Sequence, residues 1–186
     1  MSVFEIEKKA WIEDKERIIS YLSTHAEYLG ESKKSDVYFC QKEKDQVNIF
    51  TDTVYRLRTI EKKDKTLFEV TYKKKSLVHN TEVNKEYNFE VDDGEVFLQF
   101  TEYIGFKPFI EKTKLTQKFN YREALVEIST VLPLGDFIEV EILSTKEEET
   151  PAHIQRIDDI FEELQIPKEN EESTPYVDLI LKNGKQ

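Results

Sequence analysis

The sequence predicts an α+β fold, a meander of short antiparallel strands with three amphipathic helices, organised as one domain over residues 1–186. Three observations predict it. Apolar and charged residues alternate with period two in stretch after stretch, as half-buried strands require. Polar turns and loops join these stretches, as in a meander of short strands. Three segments switch to helical spacing, two of them directly behind an aspartate suited to cap a helix start.

The elements follow in order. Phe4–Trp11 alternates, with Glu5, Glu7 and Lys9 on one face and Phe4, Ile6 and Ala10 on the other. Residues on one face stand about 7 Å apart, at roughly 3.3 Å per residue. Asp14 caps a helix running to about His25, with Ile18, Ile19 and Leu22 as its apolar stripe. A strand ends in Asp36-Val37-Tyr38-Phe39-Cys40, and a polar loop covers residues 41–53. Val54–Arg58 and Leu67–Lys73 alternate around the turn Lys62-Lys63-Asp64-Lys65. Glu82–Val91 alternates over ten residues. Asp93 caps a second helix that buries Val96, Phe97, Phe100, Tyr103 and Ile104, and Gly105 stops it. Strands follow at Phe109–Lys114, Lys118–Arg122, Leu125–Val131 and Asp136–Leu143, the last after the turn Leu132-Pro133-Leu134-Gly135. Thr150-Pro151 starts a third helix with a capping hydroxyl and a proline in the first turn, and Ile154, Ile157, Phe161 and Leu164 form its stripe. An acidic loop at Glu169–Glu172 precedes a terminal segment, Tyr176–Leu181, that docks back onto the domain.

Composition limits the function classes. The net charge of -11 argues against non-specific nucleic-acid binding, which needs a basic surface to displace counterions. Twelve Phe and nine Tyr supply enough apolar area to offset chain entropy, so disorder is excluded. Cys40 is the single cysteine, which excludes an internal disulfide and a thiolate metal site. No run approaches 18 apolar residues and no signal peptide opens the chain, so a cytoplasmic location and no membrane partner are expected. Five glycines give no phosphate loop, so side chains must hold any phosphate. His25, His79 and His153 are isolated and read as surface or helix residues.

About seven strands carry charge on one face. Glu139 and Glu141 repeat the device of the first strand, Arg56 and Arg58 carry it with cations, and Lys73, Lys112 and Lys114 extend it. An open sheet would turn this face to water, and a closed barrel would turn it to a lumen. Periodicity alone leaves both open. Residue types favour the lumen: glutamates are hard oxygen ligands suited to Mg²⁺ or Mn²⁺, and Arg and Lys are donors for phosphate oxygens. A metal beside basic residues is what a polyphosphate requires.

Here the chain resembles a known family. Glu5-x-Glu7-x-Lys9 resembles the E-x-E-x-K motif of the CYTH family, or triphosphate tunnel metalloenzymes. Further motifs follow in family order: Asp36-Val37-Tyr38-Phe39, Arg56-x-Arg58, Thr71-Tyr72-Lys73, Lys85-Glu86 with Glu90, Gly105-Phe106-Lys107-Pro108 with Lys112-x-Lys114, Leu134-Gly135-Asp136-Phe137-Ile138-Glu139-Val140-Glu141, and Tyr176-Val177-Asp178-Leu179. The layout is most similar to the class IV adenylyl cyclase-like branch. The resemblance implies an eight-stranded antiparallel barrel with helices outside. It implies that Glu5, Glu7, Glu139 and Glu141 hold one or two divalent ions, Mg²⁺ or Mn²⁺. With Lys9 they would form the catalytic set, while Lys9, Arg56, Arg58, Lys73, Lys112 and Lys114 would contact phosphates. Tyr38 and Phe39 would shape one mouth, and pairing as a homodimer is implied as well.

The chain departs from the family pattern at Ser129, where an acidic-site Asp is usual. Either Glu127, two residues back on the same face, substitutes as a metal ligand, or metal binding weakens. Lys114 stands where Arg is common, and Lys118 has no family counterpart. The expected activity is metal-dependent hydrolysis of a nucleoside, thiamine or inorganic triphosphate. The alternatives are a class IV adenylyl cyclase making cyclic AMP and pyrophosphate from ATP, and a non-catalytic binder of polyphosphate or a phosphorylated metabolite. A barrel carrying an apolar ligand is disfavoured by its charged inner face.

Overall fold

A computed structural model describes residues 4–48, 54–61, 65–78 and 81–183, apart from the side chains of residues 73–78, 81–86 and 147. Eight strands are formed: β1 (Phe4–Trp11), β2 (Glu27–Gln41), β3 (Tyr55–Glu61), β4 (Thr66–Val78), β5 (Thr81–Val91), β6 (Phe106–Tyr121), β7 (Ala124–Leu132) and β8 (Gly135–Ser144). Four helices accompany them: α1 (Lys15–His25), α2 (Gly94–Tyr103), α3 (Thr150–Glu163) and α4 (Tyr176–Asn183). The strands hydrogen-bond in the order β1-β5-β4-β3-β2-β6-β7-β8 as a closed barrel, because β1 pairs antiparallel with both β5 and β8. This decides between the open and closed arrangements. The expected strands Phe109–Lys114 and Lys118–Arg122 are one strand, β6: no glycine or proline interrupts Leu115-Thr116-Gln117, and Thr116 is buried in line with Lys112 and Lys114. The turn residues 62–64 and the loop residues 49–53 lie outside the described residues.

The chain divides into two compact units, one of Met1–Glu31, Lys75–Lys85 and Leu115–Ser173, the other of Ser32–Lys74, Glu86–Lys114 and Thr174–Gln186. In the first, α1 and α3 cover the apolar face of β1, β7 and β8. Ile6, Val126, Ile138 and Val140 pack with Ile18, Leu22, Ile157 and Phe161 in one buried cluster. Asp14 starts α1 as expected, its Oδ1 accepting the Arg17 N–H at 3.0 Å. The start of α3 differs from expectation. A 3₁₀ turn at Glu147–Glu149 leads into the helix, so Thr150 is already helical and its buried Oγ1 has no hydrogen-bond partner. A cation interrupts the apolar face at Lys8, whose ammonium bonds Asp158 of α3 and, at 3.0 Å, Glu171. Burial pulls the Lys8 pKa down, but these two carboxylates outweigh it and leave it raised. The acidic segment Glu169–Glu172 is therefore strapped to β1, with Ala10 bridging Glu171 and the Glu172 N–H donating to the Lys9 carbonyl at 2.9 Å.

In the second unit, Phe39, Leu57 and Val70 from β2, β3 and β4 form a buried cluster. Asp93 caps α2 by accepting the N–H groups of Glu95 and Val96, and Gly105 ends it at φ +88°. The buried side of α2 is not the expected one. Phe97 packs inward against the cluster, while Val96, Phe100, Tyr103 and Ile104 are exposed, Tyr103 at 90%. The helix is apolar over most of its circumference, so periodicity chose no face. The close approach of Gly94 to Phe68 and the buried Thr101 set its orientation. The expected docking of the terminal segment is met by α4, whose Val177 packs with Ile110 of β6.

Candidate functional site

Residues directly opposite across a ladder share a face, so strand register orders the charged face of the first unit into rungs. Phe137 lies opposite both Trp11 and Ser129. Next, Glu139 lies opposite Lys9 and Glu127. Then Glu141 lies opposite Glu7 and Leu125, and Glu7 opposite Glu82. Lys9, Glu127, Glu139 and Ser129 are buried on this face, and Glu5, Glu7 and Glu141 are half-buried. Carboxylate oxygens of Glu5, Glu7 and Glu141 all lie within 4.8 Å of one another. The Glu127 Oε1 pairs with Lys118 Nζ at 2.6 Å. The Ser129 hydroxyl is hydrogen-bonded to that of Thr116 at 3.0 Å.

The second unit carries the opposite sign. Register sets Asp36 opposite Arg58, Tyr38 opposite Arg56, and Arg56 opposite Thr71. Asp36 is buried and receives a fork from Arg58, Nε to Oδ1 at 2.6 Å and Nη2 to Oδ2 at 2.9 Å. Lys112 Nζ reaches the same Oδ2 at 3.1 Å, and Arg56 Nη1 stands 3.8 Å from it. Burial alone would raise the Asp36 carboxyl. The charges of Lys112, Arg58 and Arg56 outweigh it and hold the pKa well below the ordinary value. Lys112 also lies over the rings of Tyr176 and Tyr38, 5.1 and 5.8 Å from their centroids. The same cations lower the Tyr38 phenol against the effect of its burial. Lys114, two residues on, is buried too.

The sequence-selected residues thus fall into two clusters. Glu5, Glu7 and Glu141 come together, while Lys9 and Glu139 face each other one rung away. Glu127, weighed as a substitute metal ligand, pairs with Lys118. Arg56, Arg58 and Lys112 converge on Asp36, and the Lys73 side chain lies outside the described residues. Phe39 does not line a mouth. It is buried on the opposite face from Tyr38 and stacks on Tyr55. Sequence reasoning gave no role to Asp36 or Lys118. The aspartate stood in a quoted motif, and only the pairing of β2 with β3 reveals that it opposes Arg58.

Both clusters fit the groups that the resemblance implies. Oxygens around a six-coordinate Mg²⁺ lie about 3–4 Å apart, close to the spacing within the Glu5, Glu7 and Glu141 cluster. Glu7 and Glu141 are like charges set directly opposite each other, a destabilising arrangement that a bound cation relieves. In the second unit three cations share the one carboxylate of Asp36. Arg56 Nε and Thr71 Oγ1, from opposed residues, are buried without a hydrogen-bond partner. Unspent positive charge and unfilled hydrogen-bonding capacity suit an anion with several oxygens.

The chain is 25% identical over 178 residues to a candidate adenylate cyclase of Methanocaldococcus jannaschii, covering 95% of this chain and 98% of that one. The solved structure of the PH1819 protein from Pyrococcus horikoshii superposes with a TM-score of 0.85 at 23% identity, covering 96% of this chain and 99% of that one. A candidate adenylyl cyclase from Hippeastrum, described as having a dominant triphosphatase activity, superposes at 0.65 with 14% identity, covering 99% and 96%. No helix among the described residues is long and apolar enough to cross a membrane. The CYTH domain family model matches residues 4–176, and the chain belongs to that family.

Proposed function

We propose that the chain is a divalent-metal-dependent enzyme that hydrolyses a triphosphate, with a nucleoside, thiamine or inorganic triphosphate as substrate. The observation that carries the proposal is the Asp36 cluster, in which three cations share one carboxylate while Arg56 Nε and Thr71 Oγ1 stay unpaired. A buried net positive charge is costly unless an anion completes it. Asp36 fixes the Arg58 guanidinium and the Lys112 ammonium, so they meet phosphate oxygens in a set geometry. Arg56 is the main phosphate donor, because its Nε is uncommitted. These cations stabilise charge that develops on the phosphoryl oxygens in the transition state. A Mg²⁺ or Mn²⁺ ion held by Glu5, Glu7 and Glu141 supplies charge neutralisation and an activated water. Lys9 and Glu139, one rung away, position that acidic cluster.

Two other readings rest on specific observations. The Methanocaldococcus relative named as an adenylate cyclase supports cyclisation of ATP. The Ser129 hydroxyl, tied to Thr116 where a carboxylate is usual, supports a non-catalytic binder. One assay separates the three: incubation with Mn²⁺ or Mg²⁺ and ATP, thiamine triphosphate or inorganic triphosphate, followed by measurement of phosphate, pyrophosphate and cyclic AMP. Phosphate release abolished by Arg56→Ala or Glu139→Gln, each still folded, is the expected result. Cyclic AMP selects the cyclase. Tight binding without turnover sinks both enzyme readings.

A further inference from the structure

The charged face of the first unit ends in an aromatic rung that the phosphate and metal chemistry does not use. Trp11 follows Glu5, Glu7 and Lys9 on the same face of β1, and it lies opposite Phe137 as Lys9 lies opposite Glu139. The two rings stack with centroids 4.0 Å apart. Phe137 is fully enclosed, whereas Trp11 is half-buried, so part of the indole stays accessible. The acidic strap holds this rung in place. Asn170 Nδ2 donates to the Trp11 carbonyl at 3.3 Å, and the Glu172 N–H donates to the Lys9 carbonyl at 2.9 Å. The indole Nε1–H donates to Glu172 Oε2 at 3.5 Å, which holds the ring by its edge rather than by its π face. A Cβ at Gly135 would stand 3.7 Å from the indole Cζ3, so the start of β8 abuts a second edge.

We infer that Trp11 is a platform on which the organic end of the substrate stacks, and that the substrate is therefore a triphosphate carrying an aromatic ring rather than inorganic triphosphate. The inference rests on the triphosphate site of the proposed function and selects among its substrates. Four residues separate Trp11 from Glu7, about 13 Å along β1 at roughly 3.3 Å per residue. That span suits a triphosphate chain with its linker to a ring, one end at the acidic cluster and the ring on the indole. Lys9 stands between the two ends, on the same face. A nucleobase and the heterocycles of thiamine share the flat π surface that such a platform takes. A ring already fixed by Phe137 and Glu172 loses little freedom when a second ring stacks on it.

Trp11 is the only tryptophan in the chain, so its emission reports this position alone. Fluorescence titration of the full chain with ATP, thiamine triphosphate and inorganic triphosphate in Mg²⁺, excited on the red edge of the indole band, tests the inference, with calorimetry as an independent measure of binding. Quenching by ATP, by thiamine triphosphate or by both is expected, and which of them quenches names the ring. Inorganic triphosphate is expected to bind and leave the emission unchanged. Trp11→Leu is expected to weaken binding of the quenching ligand about tenfold or more and that of inorganic triphosphate by less than about twofold, with Trp11→Phe recovering most of the loss. Equal quenching by inorganic triphosphate, organic triphosphates that bind without changing the emission, or a folded Trp11→Leu that binds them as the wild type does overturns the role of Trp11 and leaves the triphosphate reading standing. No calorimetric binding of any triphosphate to the wild type overturns both.

Discussion

The two charged regions are written in the same sequence code, charged residues at alternate strand positions, yet they solve opposite electrostatic problems. In the second unit a single buried carboxylate organises three cations, so Asp36 is a structural counter-ion as much as a site residue. In the first unit Glu5, Glu7 and Glu141 are neighbours with like charge. Removing a charge therefore has opposite consequences. In the basic cluster it strands a buried partner, and in the acidic cluster it relieves a repulsion.

The largest effect tests the first half of that contrast. Asp36→Ala leaves Arg58 and Lys112 buried without their counter-ion and is expected to cost about 3–5 kcal/mol, read by urea unfolding. An equal loss from Glu7→Gln would break the comparison. Acid removes the same charge without mutation. The folded Asp36 pKa is depressed below the ordinary value of 3.8, so its contribution is fully present above that value. It is lost as pH falls through the lower folded value. The stability gap between wild type and Asp36→Asn should thus close on acidification below about pH 4 and stay flat above about pH 5.

Metal titration sharpens the second half. Mn²⁺ at about 100 times its Kd is expected to stabilise the wild type by about 2.7 kcal/mol and to leave Glu7→Gln almost unmoved. Without metal, Glu7→Gln should gain a few tenths of a kcal/mol by removing one of two opposed like charges. The smallest effect is on α2. Tyr103→Ser should change stability by less than about 0.5 kcal/mol because the ring is exposed. A loss of about 3 kcal/mol, as for a buried aromatic, would restore the orientation that periodicity suggested.

The sequence made the strands of the first unit legible because their alternation is clean and Asp14 marks the start of α1. Alternation put Glu5 and Glu7 on one face of their strand and Glu139 and Glu141 on one face of theirs, and the resemblance to the family's two E-x-E motifs brought them together. Asp36 and Lys118 were harder. Each takes its meaning from one cross-strand partner, Arg58 or Glu127, and register between distant segments is not written in either segment. The join of Phe109–Lys114 with Lys118–Arg122 was missed because Thr116 and Gln117 read as a polar break, although Thr116 continues the buried face. The α2 face was hard to read for the converse reason: the polar side of Glu95, Gln99 and Glu102 is narrow, and Val96, Phe97, Leu98, Phe100, Tyr103 and Ile104 spread over the rest of the circumference, an arc too wide to fix which part is buried.

Gly94 makes the seating of α2 sensitive to a single carbon. A Cβ there would meet Cδ1 and Cε1 of the Phe68 ring at 2.7 Å, closer than such atoms come, so even alanine must displace the ring or the helix start. The helix and its three-stranded support are thus joined by a size-exclusive fit, and the fit can be loosened at one position without touching a charged residue. Amide exchange in such a variant would report α2 opening as its own cooperative event, separable from the exchange of β2, β3 and β4.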